Sequence, residues 1–560
     1  MKDIQEIIKK ELVVHGFVAE DISLARPKDI SHGDYAFFVR DPSIDLTRFS
    51  TPIAGTHQYI ESVSATGRFV NIKLSPAFFA DMIFAIHAMP DSYGKNTLRE
   101  GERVIMEYTD PNPFKQFHIG HLMSNAIGEA LSRITAWSGA SVKRANYQGD
   151  VGPHVAKAIW GMQELSGEMP HAKEHLAKKT EFLGRAYVHG SNAYEDDESA
   201  KKEIDALNKV IYEKSDPKVV ELYDWGRKAS LEHFEEIYAK LGTTFDYYFY
   251  ESESAPRGMF IVEDLLARGI LEKSEGAVVF KGEQYGLHTR VFVTSAGLPT
   301  YEAKELGVNK MKFDREHFDL SVIITASEQN DHFKVVLKVL EFADASIANK
   351  TRHIGHGMLR FAEGKMSSRK GNVITGESLI ADVEALVHEK IADRDLSTTE
   401  KESVATDVAV GAIKYSVLRQ SPGKDIIFDM KSSVSFEGDS GPYLQYSHAR
   451  ARAVLRKAQE EGIAPPAKIS KEAQDVPGEL EKLLAQFPDV VMRAEKEFAP
   501  QLIVTYLTAL AGCFNAYYAN TPIVAKDNPV SPYRVALTSA FASVMKNGLW
   551  LLGIRAPERM

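Results

Sequence analysis

Two short stretches of this chain combine residue types that could handle a triphosphate. His118-Ile119-Gly120-His121 sets two imidazoles three residues apart. Lys365-Met366-Ser367-Ser368-Arg369-Lys370 offers three cations and two hydroxyls between Gly364 and Gly371. Histidines at i and i+3 share one face of a helix's first turn. Free backbone N–H groups and the helix dipole favour anions there. Ring N–H groups on that turn can donate to phosphate oxygens as charge builds during transfer, and Gly120 leaves room for a nucleotide against the backbone. A polar, glycine-flanked loop like that of Lys365, Ser367 and Ser368 can clamp a triphosphate once it is bent for reaction. The chemistry that follows is ATP binding and transfer of a nucleotidyl group.

The tetrapeptide occurs twice, again at His353-Ile354-Gly355-His356, and the flanking sequence separates the copies. The first follows an apolar strand pattern at residues 104–108 and a turn, Asp110-Pro111-Asn112-Pro113. After it Leu122, Ile127, Leu131, Ile134 and Trp137 recur at helical spacing, and residues 142–147 read as another strand. Strand, turn, helix, strand is a βαβ unit and implies a parallel sheet. The second copy runs into Gly357-Met358-Leu359-Arg360-Phe361, which is strand-like and supplies no helix amides. It reads as the approach strand to the Lys365 loop. A histidine metal pair there has no further ligand cluster beside it.

The remaining elements follow from periodicity. Residues 1–95 read as a small α+β unit whose start, with Ile4, Ile7, Ile8 and Leu12 on one face, is an amphipathic helix and not a signal peptide. Residues 96–375 carry the sheet, with a Lys/Glu-rich helical insertion over about 160–250; 376–400 is a connecting stem, and 401–560 reads as helices only. The expected fold class is α/β: a Rossmann-type parallel-sheet domain between the small N-terminal domain and an all-helical C-terminal domain.

Composition narrows the partners. The 560 residues are 44% hydrophobic and 26% charged, ordinary for a multidomain globular protein. A net charge of −10 argues against a generic DNA coat but leaves local basic surfaces for RNA phosphate. The single cysteine, Cys513, excludes a disulfide framework and a cysteine-rich zinc site and fits a reducing cytoplasm. No run approaches a membrane span.

Longer segments around these motifs resemble the arginyl branch of the class I aminoacyl-tRNA synthetases. The tetrapeptide and the Lys365 segment are similar to that class's HIGH and KMSKS signatures. Residues 107–118, 146–152, 299–305 and 328–333 resemble the branch's extended first motif and pocket motifs. Residues 435–450, from Ser435-Phe436-Glu437-Gly438 to His448-Ala449-Arg450, resemble the start of its helical anticodon-binding domain, and residues 551–560 its C-terminus. The resemblance implies arginine–tRNA ligase activity: ATP and arginine give the adenylate, and the arginyl group passes to tRNA(Arg). It implies magnesium with the ATP, no zinc, no membrane partner, a cytoplasmic setting and a monomer. ATP chemistry then falls to Lys115, His118, Gly120, His121, Lys365, Ser367 and Ser368. Arginine falls to Glu107, Asp110, Asn112, Tyr301, Glu305 and Gln329, and tRNA to Phe69, Asn71, Arg450 and Tyr517, with Tyr518 the alternative to Tyr517.

Physical chemistry supports the amino acid independently, because a guanidinium needs planar acceptors and carboxylates suit it best. Neutral amino acids are rejected when such carboxylates stay unpaired. The chain departs from the branch's usual pattern at Glu305, where Asp is common, at Asp110, where Ser is frequent, and at Glu328, where Asp is common. It also keeps both Lys115 and Lys365. A lysine, cysteine or glutamate synthetase, a small-molecule nucleotidyltransferase and a non-catalytic tRNA binder are the competing readings. The basic residues His448, Arg450, Arg452, Arg456 and Lys457 form either an RNA-facing or simply a solvated helix face.

Overall fold

A computed structural model of the chain describes residues 4–27, 32–361, 375–466 and 477–560. Helix α1 (Ile4–Val14) buries Ile7, Ile8 and Leu12, as its periodicity requires. It belongs with an antiparallel sheet of β1 (Tyr35–Phe38), β2 (Ile53–Ala54), β3 (Ile60–Thr66) and β4 (Phe69–Leu74), in the order β1-β4-β3-β2, and with α2 (Pro76–Ala88). Strands β2 and β3 escape sequence reading. The residues of β3 are half Ser, Thr and Glu, and only Ile60 and Val63 of them are buried.

The central sheet begins with β5 (Arg103–Glu107), followed by α3 (Ile119–Trp137) and β6 (Ser141–Gln148). Four helices intervene: α4 (Pro153–Glu164), α5 (Leu176–Asp196), α6 (Glu198–Glu213) and α7 (Pro217–Leu241). Then come β7 (Tyr247–Tyr250) and α8 (Glu251–Ala267). A small antiparallel sheet of β8 (Glu272–Ser274), β9 (Ala277–Phe280) and β10 (Arg290–Val293) precedes α9 (Tyr301–Glu316), β11 (Leu320–Ala326), α10 (Asn330–Ala343), α11 (Ala345–Ala348) and β12 (Thr351–His356). The five long strands pair in parallel in the order β12-β11-β5-β6-β7. Val104, Ile105 and Met106 of β5 are all buried, as a strand covered on both faces demands. Strand β7 lies inside the stretch expected to be a helical insertion. Its four residues, Tyr-Tyr-Phe-Tyr, are too few to show a period against the helices around them.

The chain leaves β5 toward β6 and β7 on one side and returns to β11 and β12 on the other. Crevices at the carboxyl ends of strands where the order reverses are where ligands bind in such sheets. Here that place is the mouth between β5 and β11.

Strand β13 (Leu359–Phe361), α12 (Gly376–Ile391), α13 (Thr398–Leu418), β14 (Ile426–Phe428), α14 (Met430–Ser433), α15 (Gly441–Glu460), α16 (Glu479–Glu497), α17 (Gln501–Asn520) and α18 (Ser531–Leu551) complete the chain. The expectation of helices only after residue 400 is corrected by β14, which pairs in parallel with β13 and ties the helical part to the sheet domain. Three residues carry no readable period. The expectation that no run approaches a membrane span is corrected too: among the described residues, α17 is long and apolar enough to cross one by length and composition. In the fold its Ile503, Leu507, Leu510 and Phe514 are core residues, with Phe514 stacked on Phe541 at 3.8 Å.

Candidate active site

The turn after β5 is held from four directions. Thr109, Asp110 and Phe114 adopt left-handed backbone with φ of 81°, 47° and 68°. Each such non-glycine residue costs roughly 1–3 kcal/mol and persists only where its surroundings over-determine it. Thr109 N–H donates to Ser124 Oγ at 3.0 Å, and Ser124 Oγ donates on to the Ile324 carbonyl of β11 at 2.8 Å. Asp110 Oδ1 accepts the Tyr147 N–H of β6 at 2.8 Å. Phe114 N–H donates to Ser230 Oγ of α7 at 2.9 Å. The strained turn fixes where Asp110, Asn112 and Lys115 stand relative to α3.

Helix α3 opens with the first histidine pair. His121 Nδ1 accepts the His118 N–H at 3.2 Å, and His118 Nδ1 accepts the Gly120 N–H at 3.1 Å. The rings stack with centroids 3.5 Å apart. A nitrogen that accepts from an amide carries no proton, so each neutral ring holds its hydrogen on Nε2, free to donate outward. Burial and then nearby Lys115 lower the His118 pKa; burial, His118 and Lys115 hold His121 well below the ordinary histidine value. Both rings are therefore neutral donors at neutral pH. Part of the sequence expectation changes here. The Gly120 amide is used by His118 instead of standing free, and a Cβ at Gly120 would come within 3.0 Å of the His118 ring. The glycine makes room for the imidazole.

At the end of β5, before the turn that leads to α3, lies a buried acidic cluster. Glu107, at the end of β5, has Lys312 Nζ 2.9 Å from its Oε2, a fully buried ion contact not aligned as a hydrogen bond. Burial and the Glu107 carboxylate push both Asp110 and Glu305 well above the usual carboxylate range. Glu305 Oε2 is buried with no hydrogen-bond partner. Three carboxyl groups face one lysine, so a further planar cation would relieve the cluster. Residues 302–306 of α9 are all buried, so Glu305 does not sit on an exposed helix face. Asn112 also belongs here: a Cβ at Gly149 would sit 2.3 Å from its Oδ1 and 3.3 Å from Glu251 Oε1, so the glycine lets both groups converge at the end of β6.

Tyr301 and Gln329 are exposed. Tyr301 is 58% exposed at the first turn of α9, and Gln329 is exposed at the end of β11. Lys115 is half-buried, with Nζ 5.5 Å from the Tyr187 ring centroid. Lys365, Ser367 and Ser368 fall outside the described residues. The residues that follow them are nonetheless fastened to the first motif: Gly376 N–H donates to the Phe117 carbonyl at 2.8 Å, and His118 bridges Thr375.

Sequence reading missed two acids. Asp150 accepts from Tyr223 Oη, Arg227 Nε, Ser252 N–H and Ser252 Oγ, all within 3.0 Å. Glu251 pairs with Lys304 at 2.6 Å, both buried. Asp150 sits in a quoted motif, but its partners come from α7 and α8, beyond the reach of local pattern.

Comparison with known proteins decides the family. Residues 85–430, more than half of the chain, match the model of tRNA synthetases class I (R), catalytic domain, and residues 444–560 match the DALR anticodon binding domain. The chain is 32% identical over 510 residues to an arginine–tRNA ligase of Clostridium perfringens, covering 89% of this chain and 88% of that one. It is 32% identical to that of Clostridium botulinum, covering 100% and 99%. The chain belongs to the arginyl branch of the class I tRNA synthetases. The solved arginyl-tRNA synthetase of Thermus thermophilus shares its fold with a TM-score of 0.78 at 23% identity, covering 100% of this chain and 99% of that one.

For a tRNA synthetase two further surfaces matter. A cavity of about 730 Å³ in the DALR region is lined by Arg394, Tyr446, Arg450, Arg456, Lys457 and Tyr518. The Arg450 guanidinium lies 4.7 Å from the Tyr446 ring centroid and 5.3 Å from that of Tyr518. Tyr517, expected to face RNA, packs half-buried against two core clusters, so Tyr518, one helical step on, is the ring at the cavity. His448 drops out of the basic face, because it is buried and its Nδ1 donates to the Pro557 carbonyl at 3.0 Å. In the N-terminal unit Phe69 and Phe38 are each 50% exposed, with ring centroids 5.1 Å apart. Asn71 is buried below them, its Nδ2 donating to Thr66 Oγ1 at 3.4 Å.

Proposed function

We infer that the chain activates arginine with ATP and transfers it to tRNA(Arg). The arginine carboxylate attacks the α-phosphorus of ATP, the bond to the β-phosphate breaks, and pyrophosphate leaves. A terminal ribose hydroxyl of the tRNA then attacks the adenylate carbonyl, loses its proton and displaces AMP. The observation that carries this reading is a buried, cation-deficient acidic cluster beside two neutral Nε2–H donors at the crossover of a parallel sheet.

Asp110 and Glu305 take the guanidinium, with Glu107 and its Lys312 behind them, and Asn112 orients the amino-acid end. Tyr301 and Gln329 close the mouth over it. Lys115 and the two histidines donate to phosphate oxygens where charge develops, which preorganised donors do without reorganisation cost. Lys365, Ser367 and Ser368, in the segment similar to the KMSKS signature, join them. Magnesium held by the ATP phosphates neutralises the leaving pyrophosphate when bound. Arg450 and Tyr518 meet the anticodon loop, with cation and ring available for splayed bases. Phe69 and Asn71 meet a second part of the tRNA. The domain limits at about 95, 375 and 400 follow this division of labour, and the reading carries a monomeric, cytoplasmic enzyme.

The test is arginine-dependent ATP–pyrophosphate exchange with and without total tRNA. Exchange with arginine, and none with its uncharged isostere citrulline, is expected. No exchange with arginine under either condition overturns the reading.

A further inference from the structure

Helix α7 is gripped at its C-terminal end and along its middle by groups from different parts of the molecule. It has 25 residues and therefore spans about 37 Å. At its C-terminal end three carbonyls each accept from a basic side chain on a separate element. Arg555 Nη2, in the turn after α18, reaches the Ala239 carbonyl at 3.4 Å. Lys414 Nζ, in α13, reaches Leu241 at 2.7 Å, and Arg133 Nη2, in α3, reaches Gly242 at 2.9 Å. The last carbonyls of a helix lack internal partners and carry the negative end of its dipole, so cations hold them well.

Lys414 stands apart from the other two. Arg133 is paired with Glu129 at 2.6 Å and Arg555 with Asp407 at 2.8 Å. Lys414 is fully buried, and among the described residues its hydrogen bonds go to carbonyls alone: Leu241 and, at 2.8 Å, Gly553 of the C-terminal turn. It thereby joins the helical domain, the chain's last turn and the end of α7.

The middle of α7 meets the catalytic turn. Ser230 Oγ accepts the Phe114 N–H at 2.9 Å, and the Phe114 ring lies where a Cβ on Gly226 would come within 2.2 Å. Tyr223 and Arg227 hold Asp150. Phe114 is the left-handed residue immediately before Lys115. Ser230 and Leu241 are about 16 Å apart along one continuous helix. Between them Phe234, Ile237 and Tyr238 pack into the same core as Phe117 and the buried residues of α12 and α13. Shifting the end of α7 therefore shifts the support of the Lys115 turn.

We propose that Lys414 is a positioning residue for adenylate formation: it fixes the end of α7, and α7 fixes the turn that presents Lys115 beside the histidine pair. The proposal rests on the arginine-activation reading. Its measurements therefore start from whichever amino acid supports exchange in the wild-type enzyme, so that failure of that reading is seen first and separately.

The experiment compares Lys414→Met, Ser230→Ala and the double variant in pyrophosphate exchange. Rates are taken per active site by burst titration, with thermal midpoints recorded in parallel. Lys414→Met keeps chain length but removes every donor. Its kcat per active site should fall about 10-fold, in the range expected when a donor shifts by a fraction of an ångström, while KM for the amino acid changes less than about 3-fold. The double variant should lose little beyond the worse single variant, because both interrupt one path. A lowered midpoint with wild-type kcat per active site would make Lys414 merely structural and overturn the proposal. So would fully multiplicative losses in the double variant. If Lys414→Met does not fold, exposed Arg555→Gln loosens the same helix end and must show the same kcat-selective loss, about 3-fold, or the proposal falls.

Discussion

Residues 118–121 and 353–356 spell the same tetrapeptide on different backbones. The first opens α3; the second closes β12, at the edge of the sheet. In the first, both Nδ1 atoms accept from amides, which leaves Nε2–H groups to donate. In the second, His356 Nδ1 lies 2.8 Å from the Gly357 carbonyl. A carbonyl only accepts, so the proton sits on Nδ1 and the neutral ring offers a lone pair at Nε2. His353 is occupied as well, with Nε2 bonded to Thr325 Oγ1 at 2.8 Å and its ring stacked on Phe333 at 4.1 Å. Backbone conformation thus selects the tautomer, and the tautomer selects whether a histidine can stabilise growing negative charge.

The sharpest way to break this comparison is to remove one ring from each copy. His121→Ala should lower kcat of arginine-dependent exchange by about 10²-fold or more, the scale of losing one transition-state donor. His356→Ala should stay within about 3-fold, since no donor to phosphate is lost. The opposite ranking would transfer the ATP role to the second copy.

The acidic cluster gives the next effect. Glu305→Gln should raise KM for arginine about 10- to 100-fold with a smaller change in kcat, the range for losing a charge-assisted bond to a buried group. An unchanged KM would move the guanidinium elsewhere.

The sign of the pH dependence follows from the raised Asp110 and Glu305 carboxyls. Their unfolded values are 3.8 and 4.5, and in the fold both keep their protons to higher pH. The stability they contribute is full below those unfolded values and lost as pH rises through the raised ones. Guanidinium needs the ionised forms, so arginine binding releases protons and KM for arginine falls as pH rises, by at most about 10-fold per unit for each coupled proton. Calorimetry in two buffers of different ionisation enthalpy reads that release directly. Equal binding heats in both would show that the carboxyls are already ionised.

The smallest effect belongs to the second copy. His356→Ala should cost about 1–2 kcal/mol in denaturant unfolding, because the buried Gly357 carbonyl loses its donor. Loss of activity without loss of stability would contradict a purely packed role.

Legibility followed the range of the forces involved. Helix α3 was readable because one apolar stripe repeats over five turns, and β5 because three consecutive buried apolar residues mark a doubly covered strand. Strands β2, β7 and β14 were not, since two to four residues hold no period and their pairing partners lie far along the chain. The same limit applied in the site. Glu107, Asp110 and Glu305 were recognisable, but Lys312 behind Glu107 and the four donors on Asp150 were not. The choice between Tyr517 and Tyr518 turned on which side of α17 the core covers.

By itself the sequence determined the family, the parallel-sheet class, the pairing of a histidine motif with a basic loop, and the acidic character of the amino-acid pocket. These rest on residue identity and short spacing, which survive without coordinates. Tertiary structure alone decided the strand order, the histidine tautomers, the single lysine that leaves the acidic cluster short of positive charge, and the grip of Lys414 on the far end of α7. The tautomers follow from the backbone conformation at each tetrapeptide; the others depend on groups separated by tens to hundreds of residues, brought together by burial and by the need of every buried donor and acceptor for a partner.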